Sequence, residues 1–220
     1  MKLSNNTLTI LKNFATINDG IFVKKGNVLT TMSQGNSVYA TANIEETFPQ
    51  DFAIYSLNKF INTLSSIDDP ELSFSEDKVF IRRDKTKIDY VLADPSMVKI
   101  PKKVAHYDGE VTIDITEAKL NSLLKIASNL NLPDLCVVGD SQKVLVVVND
   151  IKDDATDVCE EDIDVSTDKT FRFVIKRDNI KLIPGDYQVS ISSKGVAYFD
   201  NKNIDLHYSI LLDSKSQFGE

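Results

Sequence analysis

Apolar residues recur over the first eighteen positions at the spacing of an amphipathic helix, about 100° per residue. They form one stripe, made of Leu3, Leu8, Ile10, Leu11, Phe14, Ala15 and Ile17. The opposite arc is polar and contains no acid: Lys2, Asn5, Asn6, Thr9, Lys12, Asn13 and Thr16. Ser4 can cap the helix N-terminus, and Asp19-Gly20 can end it. The pattern predicts a helix over residues 2–18 with one core-facing side and one acid-free side.

After Gly20 the period changes to two, which is typical of strands. Three further amphipathic stretches predict helices over residues 55–67, 116–130 and 176–183. Alternating or apolar runs predict strands at 21–24, 28–32, 38–44, 52–54, 72–75, 79–82, 87–92, 111–115, 135–138, 143–148, 171–175, 187–192, 196–199 and 205–212. Residues 153–164 form an acidic loop or an edge strand. The chain is therefore predicted to have an α+β fold with antiparallel sheets.

The second half of the sequence repeats the first. Leu72-Ser-Phe-Ser aligns with Val189-Ser-Ile-Ser at an offset of 117 residues, and Leu11-Lys12 aligns with Leu124-Lys125 at an offset of 113. A period this long indicates a duplicated domain rather than a solenoid. The region between the halves contains two prolines and loses the alternation. We predict two similar domains, residues 1–94 and 110–220, each with two helices, joined by a connector at 95–109.

The charge is unevenly distributed. The chain has 33 acidic and 25 basic residues and a net charge of -8. The four predicted helices hold only two acids, Glu117 and Asp178. Their basic residues are Lys2, Lys12, Lys59, Lys119, Lys125, Lys176, Arg177 and Lys181. We interpret the helical faces as a surface for duplex DNA, since lysine and small polar side chains contact phosphates without reading sequence. The alternative is that these are ordinary solvent faces of amphipathic helices.

Residues for catalysis or metal binding are sparse. Cys136 and Cys159 lack metal-ligand spacing, and His106 and His207 have no catalytic motif around them. The acidic stretch 153–164 lacks the spacing of a calcium loop. No apolar run is long enough to span a bilayer, and no signal peptide is evident. We therefore expect no enzyme activity, cofactor or metal, and a protein that stays where it is made. An acidic two-domain β-rich interaction or virion assembly protein without a DNA channel is the alternative.

Several segments are similar to a known family. They are the opening MKLS, Leu11-Lys-Asn-Phe-Ala-Thr-Ile-Asn running into Gly20-Ile21, Ala53-Ile-Tyr-Ser-Leu-Asn, Ala93-Asp-Pro-Ser, and Leu182-Ile-Pro-Gly-Asp-Tyr. Together they resemble the sliding clamps of T-even-type bacteriophages over nearly the whole chain. The resemblance implies a DNA clamp (processivity fold) assembled as a ring of three subunits, with helices lining the hole.

The resemblance also implies a function and partners. The function is that of a DNA polymerase processivity factor in the cytoplasm of an infected bacterial host. The partners are duplex DNA, the replicative DNA polymerase, an ATP-driven clamp loader and sigma-like factors of late transcription. Subunits would join edge to edge, with strand 87–92 of one chain beside an edge strand near 157–165 of the next.

The resemblance supports only some of the predicted DNA contacts. Lys12 and Lys125 match basic positions on the family's lining helices, whereas the other six basic residues are predicted DNA contacts from the charge pattern alone. Asn5 and Ser128 stand where further basic residues would be expected. A pocket for hydrophobic partner peptides would include Val98, Ile100 and Leu212.

Overall fold

The structure, a computed structural model, describes residues 1–102, 105–153 and 155–219. Contacts divide the chain into two units, Met1–Lys103 and Val104–Glu220. Within the described residues, no helix combines the length and apolar character needed to cross a membrane.

Among its described residues, the first unit contains two α-helices, seven strands and a short 3-10 helix, Pro95–Met97. In chain order the α-helices and strands are α1 (Asn5–Ile17), β1 (Ile21–Val23), β2 (Gly26–Met32), β3 (Val38–Phe48), β4 (Phe52–Ile54), α2 (Leu57–Ser65), β5 (Glu71–Phe74), β6 (Lys78–Arg83) and β7 (Thr86–Val91). β1 pairs with β4, β2 pairs with β3, and β5, β6 and β7 form a three-stranded sheet, all antiparallel. The helices contact each other, and α1 also packs on β2 and β3.

The apolar stripe of α1 anchors this unit. Ile10 and Phe14 are almost fully buried, and Ser4 accepts a hydrogen bond from the Thr7 amide at 3.2 Å, which confirms the predicted N-cap. Thr7 is also buried, and its hydroxyl donates a hydrogen bond to the Glu46 carboxylate at 2.5 Å. Burial of such side chains contributes about 1.5–3 kcal/mol each, so packing rather than helix propensity holds α1 in place.

In its described part, the second unit contains one α-helix and nine strands. They are β8 (Val111–Ile115), α3 (Glu117–Asn129), β9 (Asp134–Asp140), β10 (Lys143–Asn149), β11 (Cys159–Ser166), β12 (Thr170–Lys176), β13 (Tyr187–Ser192), β14 (Val196–Asn201), β15 (Leu206–Leu211) and β16 (Gln217–Phe218). β11, β10, β9, β12 and β16 are adjacent in that order, and β8, β13, β14 and β15 pair in that order. α3 packs against β10.

The fourth predicted helix, residues 176–183, is wrong. β12 continues to Lys176, and only a short 3-10 helix, Arg177–Asn179, follows. The rest of the segment is held by tertiary contacts: Ile183 is buried, its amide donates to the Tyr208 hydroxyl at 3.2 Å, and its carbonyl accepts from the Tyr187 hydroxyl. These contacts override the helical spacing of its apolar residues.

The order of elements nevertheless repeats between the units. α1 and β1–β4 correspond to α3 and β9–β12, and β5–β7 correspond to β13–β15. The aligned segments that start at Leu72 and Val189 begin in β5 and β13, and each strand begins a three-stranded antiparallel run. The duplication read from the sequence is therefore visible in the structure, with a 3-10 helix in the place of α2.

Candidate nucleic-acid interface

The exposed faces of α1 and α2 carry amides, hydroxyls and lysines and no acid. The exposed residues of α1 are Asn5, Thr9, Lys12 and Thr16, and those of α2 are Asn58, Lys59, Asn62 and Ser65. The one carboxylate at the start of α2 comes from Asp19, whose Oδ1 accepts from the Asn58 amide at 2.8 Å. That carboxylate serves as a helix cap, where negative charge is stabilised by the helix dipole.

Hydroxyl groups on these faces donate their protons to their own helices. Thr9 donates to the Asn5 carbonyl, Thr63 donates to the Lys59 carbonyl and Ser66 donates to the Asn62 carbonyl, each at 2.8 Å. A carbonyl oxygen can only accept, so the hydroxyl must be the donor. Because phosphate oxygens are also acceptors, a hydroxyl that keeps its bond to the helix contacts a phosphate through a bridging water rather than directly.

Three lysines extend from the helices without an ion pair. Lys12 of α1, Lys59 of α2 and Lys125 of α3 are exposed, and within the described part of the chain none has a carboxylate within ion-pairing distance. Their ammonium groups are therefore available to an anion in solvent. In α3 the only acid is Glu117, in the first turn, where it complements the positive end of the helix dipole.

Two other predicted DNA contacts are ion-paired. The Lys2 ammonium, just before α1, contacts the carboxylate of Asp69. The Lys119 ammonium of α3 lies 3.4 Å from a Glu161 carboxylate oxygen and 3.3 Å from the Asp162 carbonyl, both on β11. The acidic partners of these two lysines lie far from them in the sequence, so the charge pattern alone could not identify these ion pairs.

The remaining three predicted contacts lie near the end of β12. The Lys176 ammonium lies 2.6 Å from Asp134, whose side chain is fully buried, and 3.3 Å from Asp213. Burial opposes the charge of this ammonium, but hydrogen bonds and attraction from both carboxylates outweigh it and raise the pKa of Lys176. Arg177 donates to the Ala127 carbonyl at 2.8 Å, so it caps the last turn of α3. Lys181 is half-buried.

The positions of these residues reduce the expected charge on the helices. Only Lys12, Lys59, Lys119 and Lys125 lie within α-helices, against the single acid Glu117. Lys2, Lys176, Arg177 and Lys181 lie outside them. The charge asymmetry is therefore smaller than the sequence suggested, but it keeps its sign.

The predicted peptide pocket is divided between the units. Val98 packs near Gly20 in the first unit, where Lys99 donates to the Ser33 and Gln34 carbonyls at 2.6 and 2.8 Å. Ile100 is 47% exposed and borders a groove of about 400 Å³ that is also lined by Phe22, Val28 and Tyr39. Leu212 lies in the second unit, where it lines a different depression with Phe173 and Phe218.

The two histidines have structural partners. The His106 ring lies 4.6 Å from the Tyr198 ring, and His207 contacts Asp200 at 2.6 Å and Asp205 at 2.9 Å. Among the described residues, no group of three or more histidine, cysteine or acidic side chains is arranged to hold a metal ion.

The chain is similar to known proteins over nearly its whole length. Residues 2–98 match the family described as DNA polymerase processivity factor, and residues 112–214 match the family described as gp45 sliding clamp, C terminal. The sliding clamp of Enterobacteria phage T4 is 34% identical over 230 residues, which cover 99% of this chain and all of that protein. The sliding clamp of Vibrio phage KVP40 is 30% identical over 97% of this chain and all of that protein.

A solved structure shows the same fold at much lower identity. An A. fulgidus PCNA bound to the C-terminal region of FEN-1 superposes with a TM-score of 0.72 at 10% identity, over 96% of each chain. The predicted α+β clamp fold with two similar domains is confirmed.

Proposed function

The chain belongs to the sliding-clamp family of DNA polymerase processivity factors, and we propose that it forms a ring of three copies that encloses duplex DNA. The family consists of non-enzymatic scaffolds, so the chain is a binding protein rather than an enzyme. The family assignment also favours a clamp over an interaction or virion assembly protein.

The observation that carries the DNA-facing part of the proposal is the acid-free exposed face of α1 and α2. Duplex DNA carries one negative charge per about 1.7 Å of axis, and a chain with a net charge of -8 repels it over most of its surface. The exposed lysines Lys12, Lys59 and Lys125 offer the duplex cationic contacts that their own chain does not neutralise. Enclosure would then supply retention, and these lysines would supply weak, sequence-independent attraction.

The hydrogen bonds of the Thr9, Thr63 and Ser66 hydroxyls to helix carbonyls support a weak, non-specific contact with DNA. A face that reaches phosphates through water and a few mobile ammonium groups has no fixed register along the duplex. Such a surface suits a ring that moves along DNA. We include Lys2, Lys119, Lys176, Arg177 and Lys181 only as secondary contacts, because the structure gives each of them another partner.

The remaining parts of the proposal concern partners. We propose that an ATP-driven clamp loader opens the ring onto DNA, that the replicative polymerase binds it, and that sigma-like late transcription factors use it as well. In the first unit, the groove beside Ile100 and the surface at Val98 are proposed to receive apolar peptides of these partners, and in the second unit the depression at Leu212 is proposed to do so. The supporting features are the partial exposure of Ile100 and the apolar lining of its groove.

The experiment that tests the DNA-facing assignment reverses two of the free lysines. Lys12→Glu together with Lys125→Glu is expected to leave the fold intact and to shorten the products of loader-dependent DNA synthesis. The salt slope of retention on DNA should fall by about one for each lysine that contacts a phosphate. Lys152→Glu with Lys169→Glu makes the same charge change at exposed lysines that lie outside the helices and have no ion pair among the described residues, and should have little effect. Unchanged processivity in the helix variant would refute the assignment.

A further inference from the structure

One face of the three-stranded sheet β5–β6–β7 carries an aromatic ring among cations. Side chains alternate along β6, so Val79 and Ile81 are fully buried, while Lys78, Phe80 and Arg82 lie on the opposite face and reach solvent. Lys87 of the neighbouring strand β7 is exposed on the same face. We name the surface formed by Lys78, Phe80, Arg82 and Lys87 the Phe80 face. Its cations stand out in a chain with a net charge of -8.

Two of these cations are gathered around the Phe80 ring. The Arg82 guanidinium carbon lies 5.3 Å from the ring centre, and the Lys87 ammonium lies 4.9 Å from it. Arg82 and Lys87 are directly opposite each other in the register of β6 and β7. Like charges in that arrangement destabilise a strand pair. An anion bound from outside would relieve this repulsion.

Two acids share the face and leave two of its cations free. Asp89 lies 2.9 Å from Lys87. Glu71 is opposite Arg82 in the register of β5 and β6. Even so, across the described ranges neither Arg82 nor Lys78 has a carboxylate at ion-pairing distance. Lys78 and Arg82 are four residues apart on one strand, about 13 Å, so they can contact separate charges of one extended polyanion.

The duplicated second unit builds the equivalent hairpin without these residues. At the offset of 117 residues, Phe80 aligns with Ala197 and Arg82 aligns with Phe199, both on β14. Ala197 and Phe199 are almost completely buried. A ring and a guanidinium that reach solvent at these positions are therefore features of the first unit alone, and folding of the hairpin does not require them.

We propose that the Phe80 face binds single-stranded DNA. Bases stack on the exposed part of the Phe80 ring and on the Arg82 guanidinium, and phosphates contact Lys78, Arg82 and Lys87. Cations around an aromatic side chain bind single strands in this way, without sequence preference. Bases inside a duplex are stacked on each other, so they cannot reach the ring. An acidic peptide would meet the same cations but would offer the ring no base to stack on it.

This inference rests on the proposed function only for the source of its ligand. Synthesis on primed DNA leaves single-stranded template beside the duplex that the ring is proposed to enclose. The Phe80 face would then hold template, while the lysines of the helices contact duplex. The two surfaces use different residues, so variants can separate them.

Binding of a dye-labelled thymidine oligomer of about 20 nucleotides, followed by fluorescence anisotropy at several NaCl concentrations, tests the proposal. The wild type should bind with a Kd of roughly 10⁻⁵ M. Phe80→Ala should weaken binding roughly tenfold, because it removes the stacking of one base. Lys78→Gln with Arg82→Gln should lower the salt slope by about 1.4, since each phosphate contact on a single strand contributes about 0.7.

Controls separate the ring from charge and from folding. Lys152→Gln with Lys194→Gln removes two charges at exposed lysines outside the Phe80 face and should change binding little. Circular dichroism checks the fold of each variant. Phe80→Leu, which keeps apolar bulk but loses the flat ring, serves if Phe80→Ala fails to fold.

An abasic sugar-phosphate oligomer of the same length supplies the decisive comparison. It should bind the wild type more weakly than the thymidine oligomer does, and Phe80→Ala should not weaken it further. Folded Phe80 variants that bind the thymidine oligomer like the wild type, or a polyglutamate of equal charge that binds as tightly, would overturn the inference. These measurements need no loader, so their failure would leave the proposed ring standing. A wild type that binds the thymidine oligomer but gives no processive synthesis with its loader would overturn the ring proposal instead.

Discussion

Replacing Lys176 with methionine should strongly destabilise the second unit. The Lys176 ammonium lies 2.6 Å from an oxygen of Asp134, whose side chain is fully buried. The only other hydrogen bond that the structure gives that carboxylate among the described residues comes from the Ile151 amide, at 3.1 Å. Removing the ammonium leaves a buried charge without its counterion, which typically costs about 3–5 kcal/mol. We expect the lower end, about 3 kcal/mol, because the lysine side chain is 32% exposed.

The matched control is Lys143→Met in the same sheet. Lys143 lies 2.9 Å from Asp162, and both side chains are more than 40% exposed. An exposed pair of this kind contributes about 1 kcal/mol or less. Equilibrium urea unfolding, followed by circular dichroism with a separate transition fitted for each unit, measures both losses. Adding Asp134→Asn to Lys176→Met should recover part of the stability, since it removes the unpaired charge.

The dependence on pH gives a second check on this pair. The pKa of Lys176 is raised in the folded state. Its contribution is therefore fully present below 10.5, the ordinary lysine value, and is lost as the pH rises through the raised pKa. If Lys176→Met costs no more than Lys143→Met, the pair does not hold the unit together. If it instead lowers processivity while stability is unchanged, Lys176 acts on DNA.

Two further predictions concern packing and titration. Gly139→Ala should destabilise the second unit by about 1–3 kcal/mol, because a Cβ there would overlap the Phe171 ring and lie 2.8 Å from the Lys169 carbonyl oxygen. The control is Gly35→Ala, where a Cβ meets open space and should change the urea midpoint little. A Gly139→Ala midpoint equal to that of the control would show that the ring moves aside. Burial lowers the pKa of His207, but the carboxylates of Asp200 and Asp205 outweigh it and raise that pKa above 6.5. The free energy of unfolding of the wild type should exceed that of His207→Gln by about 1 kcal/mol or less at about pH 5.5, and this difference should be lost at about pH 9. Equal unfolding midpoints at the lower pH would contradict the prediction.

The three long amphipathic stretches could be predicted from sequence because each buries one continuous stripe. α1, α2 and α3 all lie within the predicted ranges, and their N-caps, Ser4, Ser56 and Thr116, each accept a hydrogen bond from the third helical residue. Period and cap chemistry are local properties, so a single sequence contains them.

Other features depend on contacts between distant segments. α1 ends at Asn18 in an extended conformation rather than at a left-handed glycine, and a Cβ at Gly20 would lie 3.3 Å from Val98. β16 is only two residues long and is held by stacking of Phe218 with Phe171 and Phe173. Neither feature has a periodic signal that could predict it.

In the candidate interface, too, some features could be predicted from the local sequence and others depend on distant contacts. Exposure of Lys12, Lys59 and Lys125 followed from their place on the polar arcs of the helices. The ion pairs of Lys2, Lys119 and Lys176 did not, because their acidic partners are remote in sequence and meet them only in the folded chain. A charge count therefore identifies a candidate face but overstates how many of its cations are free.

The central claim is that the helices face the duplex. It is tested most directly by crosslinking from one added cysteine at a time in a Cys159→Ser background, where the remaining Cys136 is buried, with the clamp loaded on circular DNA. We expect photocrosslinks to DNA from probes at Asn62 in α2 and Asn121 in α3, and none from a probe at Ser73 in β5, although all three positions are exposed. Crosslinks mainly from Ser73, or equal yields from all three, would contradict the account.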